Sequence, residues 1–88
     1  MKKIVIIGAG EIGRQAFEFV GAECVAYFAD NKKAGSTYCG KAVYPVERAA
    51  EDKGKYVLLL AVTKYRKELM GQLNDLGVYD FYYFDFQN

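Results

Sequence analysis

The stretch "IVIIGAGEIG", residues 4–13, decides the fold. Ile4 to Ile7 are all β-branched and uninterrupted by polar residues, the pattern of a strand buried on both faces in a parallel sheet. That strand is predicted over Lys3–Ile7. Gly8, Gly10 and Gly13 follow with the spacing G-x-G-x-x-G and open a helix predicted over Glu11–Val20. Its inward stripe is Gly13, Ala16, Phe17 and Val20. A glycine loop between strand and helix brings backbone N–H groups to a place where phosphate binds. Gly8 also suits a tight turn and Gly13 a close helix–sheet approach with or without a ligand. Both uses stand at this point.

Working outward, "ECVAYFAD" reads as a second strand ending at Asp30, and "NKKAGSTYCGKAVYP" carries glycines and polar residues where another full helix is expected. Within it, "KAVY" reads as a short extra strand. Pro45 opens a short helix, "PVERAAED", because its fixed φ suits a first turn and its missing donor is not needed there. "KYVLLLAV" is a third apolar strand. Thr63 is the expected N-cap of a second long helix reaching Leu76, with Tyr65, Leu69, Leu73 and Leu76 inward and Gly77 and Val78 closing it. The aromatic run "YDFYYFDF" is read as the last strand. This order predicts an α/β fold: a small Rossmann-like, doubly wound parallel sheet of about four strands, with order 2-1-3-4. Ligands of such sheets lie beyond the carboxyl ends of the strands, where the order switches.

Composition narrows the function classes. Eighty-eight residues, 52% of them apolar, make one folded domain over residues 1–88, either a complete protein or a piece of a larger one. A net charge of +1 provides no global attraction to nucleic acid or to anionic lipid. Histidine is absent, and Cys24 and Cys39 have no metal-ligand spacing, so no metal site is expected. The cysteines read as reduced thiols of a cytoplasmic protein. No apolar run approaches the ~20 residues of a membrane-spanning helix. Without histidine there is no Ser-His or Cys-His pair, and no catalytic residue is assigned.

The candidate binding residues gather at the predicted switch edge. The loop supplies Gly8, Gly10, Glu11, Ile12 and Gly13. Glu11 favours the positive end of the helix dipole but would repel a pyrophosphate, so either it swings outward or the ligand presents hydroxyls there. Asp30, with Asn31, is placed either to accept from ribose hydroxyls or to form a turn. Thr63, Lys64 and Arg66, with Lys67, crowd the start of the second long helix, where cations cost stability. Together with Lys32 and Lys33 they form a basic rim suited to an anionic ligand.

Several of these residues carry a family likeness. Gly8-Ala9-Gly10-Glu11-Ile12-Gly13, the strand end Phe28-Ala29-Asp30-Asn31, Gly35, and Gly40-Lys41-Ala42-Val43-Tyr44-Pro45 resemble the small Rossmann-like domain of bacterial surface-polysaccharide enzymes. Two groups share it: PglD-type and sialic-acid sugar acyltransferases, and the nucleotide-binding domain that precedes the dehydratase in nucleotide-sugar dehydratases. In the acyltransferases this domain holds the nucleotide-sugar, and the resemblance implicates Gly8, Gly10, Gly13, Asp30 and Asn31. Those enzymes usually have a histidine in the loop, and Glu11-Ile12 places this chain nearer the dehydratase-associated group. Their catalytic histidine lies in a β-helix domain absent from this sequence, which implies a module that binds and does not react.

The expected function is therefore binding of an anionic nucleotide, foremost a nucleotide-sugar. One alternative is an NAD(H)-binding domain of a redox enzyme or sensor. The other is an interaction module without a small ligand, whose aromatic "FYYFDF" end meets a second copy or a missing catalytic domain.

Overall fold

The computed structural model describes residues 2–85. A single sheet of six strands, mostly parallel, carries helices on both faces. Strands β1 (Ile4–Ile7), β2 (Val25–Ala29), β3 (Thr37–Tyr38), β4 (Lys41–Tyr44), β5 (Val57–Leu60) and β6 (Tyr82–Tyr83) stand in the order β3-β4-β2-β1-β5-β6. Helix α1 is Glu11–Val20, α2 is Val46–Glu51 and α3 is Arg66–Asp75.

The expected count of about four strands is corrected to six, because the segment after β2 forms a hairpin that joins the sheet. Cys39 (φ 52°) and Gly40 (φ 76°) make its tight turn, β4 pairs parallel with β2, and β3 pairs antiparallel with β4. The other four strands stand as β2-β1-β5-β6, the order expected for the parallel set. Strand β1 lies at the centre, paired in parallel with β5 in continuous register and with β2 through a one-residue shift between Ile4 and Val5. Its alternate residues face opposite ways. Val5 and Ile7 join Tyr27, Leu58 and Leu60 under α2 and α3, while Ile6 joins Phe28, Val43 and Leu59 under α1.

Helix α1 has the expected bounds, with Gly13 and Ala16 buried and Phe17 and Val20 partly so. Helix α3 differs at its start: Tyr65, in a left-handed conformation (φ 62°), is its N-cap, and Thr63 lies in the preceding turn. A positive φ at Tyr65 stops the helix from extending back to Thr63. Of the four residues expected inward, Leu73 is buried and Leu69 half-buried, whereas Tyr65 and Leu76 are exposed. The C-terminus of α3 closes as expected, with the N–H of Gly77 donating to Asn74 O (3.0 Å) and that of Val78 to Leu73 O (2.8 Å). The last strand shortens to Tyr82–Tyr83, paired with Leu59 and Leu60. Its expected end at Phe86 lies outside the described residues. Among those residues no helix is long and apolar enough to cross a membrane.

Candidate functional site

The glycine loop ties β1 to α1 through contacts within the protein. A Cβ at Gly13 would stand 1.9 Å from Gly8 O, so the helix approaches the loop only because that position is glycine. Gly8, at φ +120°, would bring a Cβ within 2.6 Å of Ala61 O and of the Val62 side chain. Gly10 is different. Its φ of −125° suits any residue, and a Cβ there meets nothing within 4 Å.

Neighbouring side chains brace the same loop. Asp30 Oδ2 accepts the N–H of Ala9 at 2.9 Å, while Oδ1 accepts those of Lys32 (2.9 Å) and Lys33 (3.3 Å). The carboxylate therefore holds a turn and the glycine loop together. Lys33 Nζ donates to Ala9 O, and the Tyr38 hydroxyl donates to Gly10 O at 3.0 Å. Burial pushes the Tyr38 phenol up, keeping it a protonated donor. Asn31 braces more distant parts: its Oδ1 accepts the first N–H of α2, at Val46, and its Nδ2 donates to Gln72 Oε1, both at 3.0 Å.

Glu11 swings outward to Arg14 and Gln15. The hydrogen bond from Arg14, followed by that from Gln15, holds its carboxyl below the usual carboxylate range. Ile12 packs into the apolar layer under α1.

A cleft of about 320 Å³ opens at the carboxyl ends of β1, β2 and β5, on the α3 side. The loop after β2 contributes Asp30, Asn31 and Lys32; the loop after β5 contributes Val62, Lys64 and Tyr65; and α3 contributes Glu68, Leu69 and Gln72. Gly8 and Ala29 line it from the strand ends. Because β1 connects toward β2 on one side while β5 lies on the other, this is the point where the strand order reverses. Lys32 rests with its ammonium 4.7 Å from the centroid of the Tyr65 ring.

Five of the predicted residues thus line one cleft: Gly8, Asp30, Asn31, Lys32 and Lys64. The others do not. Gly10, Glu11, Ile12 and Gly13 lie outside its lining, and Thr63 is exposed beside it. Arg66 turns the other way, paired with Asp85, with Nη2 donating to Val62 O at 3.2 Å and the guanidinium 5.4 Å from the Tyr83 ring. The basic rim is therefore narrower than expected. Lys33 is engaged with the glycine loop, Arg66 with Asp85, and Lys67 lines no part of the cleft. The α3 residues Glu68, Leu69 and Gln72 were missed, and the only sequence signal for them is that Gln72 follows Glu68 by four residues and Leu69 by three, the spacings of helix-surface neighbours.

A larger cavity, about 560 Å³, lies at the opposite ends of the strands, bordered by Lys2, Lys53, Gly77, Tyr79 and Tyr82. Lys53 Nζ donates there to Gly77 O at 2.7 Å, closing the end of α3. None of the predicted residues reaches it. We favour the smaller cleft because open α/β sheets bind ligands at the carboxyl ends of their strands. Among the described residues no cluster of three or more His, Cys, Asp or Glu side chains is placed to hold a metal ion. Compared with known proteins, the chain matches no family model, no curated protein and no solved structure.

Proposed function

We propose that this chain is a nucleotide-binding module on a small Rossmann-like fold, with a nucleotide-sugar as the preferred ligand. It serves the kind of bacterial surface-polysaccharide enzyme its loop and hairpin resemble. One observation carries the reading: the cleft at the reversal of strand order is lined by two lysines, Lys32 and Lys64, beside Gly8, while of its two acidic residues, Asp30 and Glu68, Asp30 is taken up by backbone N–H groups. These cations suit phosphate oxygens. Asp30, already accepting three backbone N–H groups, acts as the brace that sets the rim in place. The absence of histidine from the sequence supports binding without reaction in this chain, with any chemistry supplied by a partner domain. Two free, half-buried thiols, Cys24 and Cys39, suit a cytoplasmic location.

Thermal denaturation with added ligands tests the assignment, since a ligand that prefers the folded state raises the melting temperature. UDP-sugars should raise it and NAD should not. Stabilisation by NAD alone replaces this reading with that of a dinucleotide-binding redox or sensor domain. A second reading, a ligand-free interaction module, is favoured by the exposed aromatics along the β6 edge, Tyr79 (75% exposed) and Tyr82 (65%). Concentration-dependent self-association with no response to any nucleotide selects it.

A further inference from the structure

We propose that Tyr65 is the stacking platform for the base of the bound nucleotide, and that Lys32, which covers its ring in the ligand-free protein, moves from the ring to the phosphate. This rests on the cleft being the nucleotide site. Tyr65 is 59% exposed although it borders a cleft that also offers Val62 and Leu69. An ammonium 4.7 Å from the centroid marks a ring face, rather than an edge, that is open to an approaching group. A cation over an exposed ring is the weaker contact and a stacked base the stronger, so a flat ring displaces it. Lys32 then gains an anionic partner nearby, alongside Lys64.

The edge of the ring also finds complementary groups. Gln72, which lines the cleft, has its Oε1 engaged by Asn31 Nδ2, and its amide nitrogen is a donor that this bond does not use. Glu68 stands one helical turn before it and supplies an acceptor. A cavity of about 320 Å³ is at the small end of the ~300–1,000 Å³ of ligand sites. It suits one nucleoside-sized group, the base-bearing half of a nucleoside diphosphate-sugar, better than a whole dinucleotide.

Isothermal titration of the intact chain with UDP, with AMP and with base-free ribose 5-phosphate tests the assignment. Tyr65→Ala should weaken UDP and AMP by about tenfold, and Tyr65→Phe should restore them to within about twofold. Ribose 5-phosphate should bind all variants alike. Because Tyr65 has a positive φ, Tyr65→Gly is a second variant without backbone conflict, and it should match Tyr65→Ala. Unchanged UDP affinity in both variants overturns the platform while leaving the nucleotide site standing. Equal loss for ribose 5-phosphate also overturns it, because Tyr65 then acts through loop geometry. If the unaltered chain binds neither UDP nor AMP, the nucleotide reading itself falls and the platform with it.

Discussion

On its α1 side the glycine loop is braced by side chains of its own protein; on the α3 side the cleft presents two lysines, Lys32 and Lys64, that have no ion pair among the described residues. Asp30, Lys33 and Tyr38 take up Ala9 N–H, Ala9 O and Gly10 O, and Gly13 closes on Gly8. Across β1, Lys64 borders open space and Lys32 rests on an exposed ring. Much of a phosphate-loop signature can therefore serve the fold, while the proposed binding surface draws mainly on residues outside the loop. Substitutions on the two sides should separate accordingly, stability on one and affinity on the other.

The largest effect is expected at Gly13. A Cβ 1.9 Å from backbone must displace the helix or the loop, and Gly13→Ala should cost about 3 kcal/mol or prevent folding. Urea denaturation measures it, and a loss under about 1 kcal/mol would break the contrast. Asp30→Ala comes next. It orphans the Ala9 N–H and releases the turn, and the expected loss is about 2 kcal/mol by the same assay.

Tyr27 tests the layer beneath the cleft. Its hydroxyl donates to Asp52 Oδ2 at 2.6 Å, and burial first, then that hydrogen bond, pushes its phenol well above the ordinary value of 10. Below that value the group is protonated in both states, and its stabilising contribution is complete. As pH rises past it, the unfolded chain releases a proton that the folded chain still holds, so stability falls. Tyr27→Phe should cost about 1 kcal/mol at neutral pH and flatten this alkaline decline, measured by melting temperature against pH.

Lys64→Ala should leave stability within about 0.5 kcal/mol, because the side chain is on the surface, yet weaken UDP severalfold. Gly10→Ala sharpens the comparison from the other direction. The gain from stiffening the unfolded chain, ~0.4–1 kcal/mol, is offset by the poorer N-cap, so the net change should be near zero. Two glycines of one motif would then differ by about 3 kcal/mol on the same substitution.

The elements legible in the sequence were those whose pattern is local. The β-branched run at Ile4–Ile7 and the apolar stripe of α1 each report their own burial, so β1, α1 and the order of the parallel strands could be read. The start of α3 could not, since Thr63 has the right chemistry for a cap but the left-handed turn at Tyr65 comes after it. The aromatic run near the C-terminus reads as a long strand, yet only Tyr82 and Tyr83 pair with β5. Half of the cleft was similarly out of reach. Asn31 meets Gln72 across 41 residues, and only the reversal of strand order brings α3 beside the loop after β2. Arg66 shows the converse: its place beside Lys64 in sequence predicts a shared rim, and Asp85 draws it away.

Titration of the ¹⁵N-labelled chain with UDP, followed by amide chemical shifts, tests the cleft most directly. Saturable shifts at Gly8, Lys32, Lys64 and Tyr65, with Lys53 and Gly77 at the opposite end unmoved, are predicted. Shifts confined to Lys53, Gly77 and Tyr79, or none at millimolar UDP, would contradict the assignment.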